Sequence, residues 1–243
     1  MKTLVSCYSR TGNTGIIGKE AAHMTGPRIR ETDSGITGEF TCEMYDEMQR
    51  RFRDRGWVDT KDVLKAGITS GHALEVGPGP GYLGLEWLKS TEGTRLTGLD
   101  ISPDMLVVAR KNAGEYGFRN RVTYVESPGG RMPFDDGTFD GVFTNGSLHE
   151  WADPVAVLNE IARVLKPGGR YYISDLRRDM NPLLRWFMWL SCKPGGMRPG
   201  LTTSINAAYT PRELEGVVAS SGLRAPQLRA NAMGVSIYCR MAM

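Results

Sequence analysis

The chain has 243 residues, 40% of them hydrophobic and 23% charged, an ordinary globular usage that excludes the apolar-poor, highly charged composition of a disordered chain. Lys and Arg number 30 against 27 Asp and Glu, a formal charge of +3, too small and too dispersed for a nucleic-acid footprint. Cys7, Cys42, Cys192 and Cys239 are scattered without a Cys-x-x-Cys or a neighbouring His, which points to reduced thiols in a cytoplasmic protein and to no metal site.

In chain order, Thr3 to Tyr8 reads as a short strand, too mixed to be the apolar core of a signal peptide, and Asn13 to Met24 as a helix. Gly26 to Gly38 holds Pro27, Ser34 and further glycines with little apolar pattern, so residues 1–38 read as an N-terminal segment with its linker. The main domain, 39–243, opens with an amphipathic helix, Glu39 to Arg55, carrying Phe40, Tyr45, Met48 and Phe52. From His72 the pattern alternates: strands at His72 to Val76, Arg95 to Leu99, Val122 to Val125, Phe139 to Thr144 and Arg170 to Ser174, with helices at Tyr82 to Lys89, Pro103 to Tyr116 and Pro154 to Leu165. Thr210-Pro211-Arg212-Glu213 is a capping box opening a last helix, before strands Gln227 to Ala230 and Val235 to Arg240. Such alternation predicts an α/β fold, a mainly parallel sheet with helices on both faces. The most apolar run, Leu183 to Leu190, is interrupted by Arg185 and is far below spanning length, so no stable membrane insertion is expected.

The chemistry concentrates after the first strand of the main domain. Gly77, Gly79 and Gly81 follow it directly; glycine lets backbone approach a ligand closely, and amides at a helix start favour an anionic group. Asp100 ends the next strand, 19 residues beyond Gly81, where a carboxylate can accept hydrogen bonds from ribose hydroxyls. An adenosine-type ligand accounts for both features; a tight turn and a helix cap are the plainer account. Gly79-Pro80-Gly81-Tyr82-Leu83-Gly84 also matches the dinucleotide fingerprint, but with Gly77 and Pro78 between it and the strand.

The Glu75-x-Gly77-x-Gly79-x-Gly81 signature resembles that of the class I S-adenosylmethionine-dependent methyltransferases of the small-molecule type. The resemblance runs from about Tyr45 to Arg240. It takes in Leu99-Asp100-Ile101-Ser102-Pro103, Met132-Pro133-Phe134, Asn145-Gly146-Ser147-Leu148-His149 and Arg163-Val164-Leu165-Lys166-Pro167-Gly168-Gly169. It implies a Rossmann-like seven-stranded sheet with its last strand antiparallel, S-adenosyl-L-methionine as cofactor and a small-molecule methyl acceptor. Carried over, the cofactor-binding set is Glu75, Gly77, Gly79, Gly81, Asp100, Ile101 and Asn145. Gly77 and Gly79 would underlie methionine and ribose, Asp100 would take the ribose hydroxyls, Ile101 would flank adenine, and Asn145 would face the cofactor. His149 is the expected base where a proton must leave the acceptor, and Tyr45 is expected to reach the cofactor carboxylate or the methyl group. Pro128 departs from the pattern: the family often has an acidic acceptor for the adenine amino group there, and proline offers none.

Thr3 to Thr14 resembles the first strand and phosphate loop of a flavodoxin, with Ser9, Thr11, Asn13 and Thr14 as the loop residues, but the match stops near Met24 and leaves no room for the rest of a flavin site. Leu183 to Leu190, apolar nearly all round, reads as something other than a simple surface helix. It suits a roof over an apolar acceptor, a homodimer interface or contact with a membrane-bound substrate. Arg177 and Arg178 are candidates to meet an anionic acceptor, or else two solvated arginines. Two further readings stay open from sequence: a NAD-dependent oxidoreductase using the second glycine register, and a non-catalytic S-adenosylmethionine-binding protein.

Overall fold

The structure, a computed structural model, describes residues 28–29 and 35–239; the flavodoxin-like stretch lies outside the described residues. Seven strands form one sheet: β1 (His72–Val76), β2 (Arg95–Asp100), β3 (Val122–Glu126), β4 (Phe139–Asn145), β5 (Leu165–Leu176), β6 (Pro226–Ala230) and β7 (Gly234–Cys239). Their order is β3-β2-β1-β4-β5-β7-β6. The pairs from β3 to β5 are parallel, and β7 is antiparallel to both β5 and β6. The sheet reverses its order of travel between β1 and β4, the switch point beside which open α/β sheets bind ligands.

Helix α1 (Glu39–Asp54) enters the domain, followed by α2 (Thr60–Lys65), α3 (Tyr82–Lys89), α4 (Pro103–Glu115), α5 (Pro154–Val164), α6 (Pro182–Ser191), α7 (Arg198–Ala207) and α8 (Pro211–Ala219). One face of the sheet is covered by α2, α3 and α4, whose Val63, Leu85, Leu88 and Leu106 pack with Phe143 and Tyr172. The other is covered by α5 and α8, whose Leu158, Ile161, Leu214 and Val218 pack with Val142, Tyr171 and Ile237. Strands buried on both faces explain the near-continuous apolar runs in β1 and β4.

Local chemistry sets the boundaries. Ser102 caps α4 by accepting from the Met105 amide, and Asp153 caps α5 by accepting from Ala156, each followed by proline at the first helical position. The capping box read at Thr210 is formed, with Thr210 Oγ1 accepting from the Glu213 amide and Glu213 accepting from Thr210. Three corrections follow. The helix expected to end at Leu165 stops at Val164, and extended chain starts at once, so Lys166-Pro167-Gly168-Gly169 belongs to a twelve-residue β5 with an irregular register against β4. The apolar run is a surface helix after all: α6 has no buried residue. Finally, Arg177 and Arg178 are not two free, solvated arginines: each is tied into the fold. Arg177 is held by Asp179 at 2.6 Å, and Arg178 is buried against Glu213 (2.6 Å) and the Ala208 carbonyl (2.7 Å).

Parts of the sequence read as linker pack on the domain. Arg28 donates to the carbonyls of Ala207 and His149 and lies 4.2 Å over the Tyr209 ring. Ser102 donates its hydroxyl to the Ile36 carbonyl at 2.5 Å, and the Gly38 amide donates to Asp104 at 2.9 Å.

Candidate active site

A cavity of about 390 Å³ opens at the carboxyl ends of β1, β2 and β4. Its floor is the loop from β1 to α3, in which Gly77, Gly79 and Gly81 all have positive φ (65°, 53° and 86°), backbone that residues with a Cβ rarely adopt. The loop is tied down from several sides. The Gly77 amide donates to the Leu99 carbonyl at 2.8 Å, and the Gly79 amide to Asp100 Oδ2 at 3.1 Å. The buried Asn112 of α4 donates to the Pro80 carbonyl at 2.9 Å and to Asp46 of α1 at 2.7 Å, while Tyr82 donates to the same Asp46 at 2.9 Å. One carboxylate thus ties three helices around the loop.

Seven of the residues singled out from sequence border this cavity: Tyr45, Glu75, Gly77, Gly79, Asp100, Ile101 and Asn145. Asp100 accepts from the amides of Gly79 (Oδ2) and Ser102 (Oδ1, 3.0 Å). It does not cap α4, since Ser102 does that. Burial raises its pKa, partly offset by those backbone donors. Tyr45 lies above the loop: a Cβ built on Gly79 would stand 3.3 Å from its Cε1. Its hydroxyl accepts from Gln49 at 2.9 Å, and burial, reinforced by the Glu150 charge, holds the phenol protonated. Ile101 is 40% exposed at the mouth, beside Gly35 and Ile36 of the entering chain.

Glu75 is 2% exposed, and burial pushes its carboxyl up to about 8, with the Gly84 amide pulling the other way and Asp100 adding to the rise. Its Oε2 makes no hydrogen bond. Gly84 sits against this carboxylate, so any Cβ there would collide with it. That contact explains the third glycine of the dinucleotide-like match as packing between α3 and β1.

Two expected residues lie off the cavity. Gly81 ends the loop behind it, where a Cβ would stand 2.8 Å from the Tyr124 hydroxyl. His149, 4% exposed, points beneath the short turn Leu148–Glu150 and is held by Asp175. The Asp175 carboxylate meets Nδ1 at 2.9 and 3.0 Å and accepts from the His149 amide at 2.7 Å. The same turn puts Glu150 and Trp151 on the cavity wall, with Glu150 Oε1 4.0 Å from His149 Nε2. Asn145 borders the cavity, but its side-chain amide is engaged with Asp59 (3.0 Å) and Ser174 (2.9 Å). Asp59 also accepts from Tyr172 and Ser174, a polar cluster that sequence reading missed because its members are 115 residues apart in the chain. Pro128 lines the wall within the turn Ser127-Pro128-Gly129-Gly130, and its carbonyl accepts from Arg131 at 3.1 Å.

The residues fit an adenosine-bearing donor. Asp100 is held by backbone donors and keeps lone pairs to spare for a vicinal diol, and the absence of a Cβ at Gly79 leaves the space above the loop clear beneath Tyr45.

Comparison with known proteins agrees with this geometry. Residues 74–173 match the family described as "Methyltransferase domain". The chain is 29% identical over 181 residues to a ubiquinone/menaquinone biosynthesis C-methyltransferase, UbiE, of Geobacter sp. (strain M21), covering 70% of this chain and 74% of that protein. It is 31% identical to a demethylmenaquinone methyltransferase of Roseiflexus castenholzii, covering 56% of each. Among solved structures, a SAM dependent methyltransferase from Aquifex aeolicus superimposes with a TM-score of 0.64 at 21% identity, over 84% of this chain and 98% of that one. The nicotinamide reading of the second glycine register is therefore set aside. Residues 74–173 carry a methyltransferase domain, and the chain's relatives and fold are those of S-adenosylmethionine-dependent methyltransferases.

Proposed function

We propose that the cavity seats S-adenosylmethionine on the Gly77–Gly79 loop with its ribose on Asp100, and that the acceptor is a small, largely apolar molecule. The observation that carries this is Asp100 at the end of β2, bonded to the Gly79 amide and facing the cavity. Glu75 braces the loop from below, Gly81 turns it into α3, and Asn145 presents its backbone from β4. Ile101 flanks the adenine, with the Ser127 hydroxyl oxygen taking the acceptor role that Pro128 lacks. The cavity also has apolar lining, including Val58, Leu83, Trp151 and Val157, which suits an apolar acceptor. The names of the two relatives, quinone-biosynthesis and demethylmenaquinone methyltransferases, support a ring acceptor.

When bound, the donor supplies an electrophilic sulfonium methyl. The chain's part is to hold donor and acceptor in line, about 3–3.5 Å apart, with water kept out by Tyr45 and Trp151. Where the acceptor releases a proton, Glu150 on the wall receives it. His149, fixed by Asp175, stands behind Glu150 as its positioning residue. A cytoplasmic location belongs to the same reading and is supported by the free thiols of Cys42 and Cys192. With a net charge of +3, nucleic acid does not enter it as substrate.

Titration calorimetry with S-adenosylhomocysteine tests the donor site, with NADH and flavin mononucleotide as parallel controls. Saturable binding of S-adenosylhomocysteine alone is expected; a folded protein that ignores it overturns the assignment. Pro128 motivates the second reading, a donor-binding protein without turnover. Methyl transfer to any member of a panel of ring acceptors would eliminate that reading.

A further inference from the structure

Helix α6 turns an unbroken apolar face to solvent. Leu183, Trp186, Phe187 and Leu190, at positions i, i+3, i+4 and i+7, are 72%, 57%, 53% and 47% exposed, with Trp189 beside them at 40%. Leu184 and Met188, on the inner side, are partly buried. The stripe is thus not the face by which the helix packs on its own domain, and a contiguous exposed patch of large apolar groups marks an interaction surface.

Charge selects the partner. From Met180 to Arg212 the sequence contains no Asp or Glu, but it contains Arg185, Lys193, Arg198 and Arg212. Arg198 lies 4.4 Å over the Trp189 ring and donates to the Leu190 carbonyl, so a guanidinium sits at the carboxyl end of the stripe. Arg185 is held against α7 by Asn206 at 2.6 Å. A second copy packed across a two-fold axis would set this basic segment against itself, whereas anionic headgroups complement it. At ten residues, about 15 Å, α6 is too short to cross a bilayer. No helix among the described residues is long and apolar enough to do so. Aromatic and leucine side chains on one face with basic residues around them are the pattern of a helix lying in the headgroup boundary.

We propose that α6 docks the protein on the surface of an anionic lipid bilayer, with the Leu183–Leu190 stripe in the acyl boundary and the basic residues among the headgroups. The contact bears on the site. Just after α6, Cys192 and Met197 pack against Met48 of α1, the helix that carries Tyr45 over the cavity. Docking would therefore bring the cavity-bearing helix next to the surface where an apolar acceptor dissolves. This goes beyond the acceptor reading above and does not require it.

The test is flotation of the full chain with vesicles of phosphatidylcholine alone or mixed with phosphatidylglycerol, at low and high salt. At least tenfold stronger binding to the phosphatidylglycerol vesicles is expected, weakened by salt. The Trp186→Ser, Phe187→Ser double variant should lose at least tenfold of it. Both substitutions are at exposed positions, and an unchanged melting curve confirms that the variant is folded. The single variant Arg198→Gln, which leaves the stripe in place, should weaken binding to phosphatidylglycerol vesicles and leave the weak binding to phosphatidylcholine unchanged. Absence of vesicle binding, or equal binding by wild type and a folded double variant, overturns the proposal. So does a wild-type dimer in sedimentation that ignores vesicles and becomes monomeric in the double variant, which would assign the face to a second copy.

Discussion

Helices α3 and α6 are both short, of eight and ten residues, yet six residues of α3 are buried and none of α6. Helix α3 is set by the sheet: Leu85, Trp87 and Leu88 are wholly enclosed, and the indole of Trp87 donates to the Ile68 carbonyl at 2.8 Å. Its amino end is therefore as fixed as the core, which is what a backbone cradle for a donor requires. Helix α6 is held by its ends and its neighbours, through the Asn181 cap, the Arg185 bond to α7 and the contacts of Cys192 with α1. The glycine loop is thus carried by an enclosed element, whereas α6 is an attached one.

The sharpest way to break this contrast is Leu85→Ala, expected to cost about 2–5 kcal/mol in urea unfolding. Leu183→Ala on α6 should stay within about 0.5 kcal/mol, and similar losses at both positions would show that α6 is part of the core. Gly79→Val forces a branched residue to φ 53° and pushes its Cβ against Tyr45. It should weaken S-adenosylhomocysteine binding roughly 100-fold in calorimetry, and a variant with wild-type affinity would remove the loop from the donor site. Asp100→Ala should weaken the same ligand by about 10-fold or more with the melting temperature little changed, whereas an unaltered Kd would rule out the ribose assignment.

Glu75 sharpens the comparison through pH. Its carboxyl ordinarily titrates near 4.5 and is pushed up to about 8 in the fold, so the native state keeps a proton that the unfolded chain releases. Its contribution is fully present below about 4.5 and is lost as the pH rises through about 8. Melting temperatures measured across that window should decline in the wild type and decline less in Glu75→Gln. Parallel curves would place the pH dependence elsewhere.

Much of the glycine-loop end of the cavity was legible because its chemistry is local. Three glycines at alternate positions announce left-handed backbone, and an acidic residue at a strand end announces its partner, so Gly77, Gly79 and Asp100 are found within one 24-residue stretch. The polar clusters around the cavity depend on contacts across the chain. Nothing in the local sequence of Asp59 reveals that it receives Asn145, Tyr172 and Ser174, nor does the sequence around His149 disclose Asp175 beneath it. Arg178 failed for the same reason: an arginine just after a strand looks exposed until Glu213, 35 positions later, closes over it. The apolar run was misread in the other direction, because apolarity all round predicts burial, and only the three-dimensional placement of α6 shows which side meets water.

The reversed strand β7 has a practical meaning. It starts at Gly234 beside Leu176, at the cavity end of β5, and runs away from it to Cys239. The described chain therefore leaves the domain at the pole opposite the cavity and the glycine loop. A fluorophore or sensor-chip linkage made at the last residues of β7 would hold the molecule by its far side and present the cavity to solution, suiting immobilised formats for ligand screening.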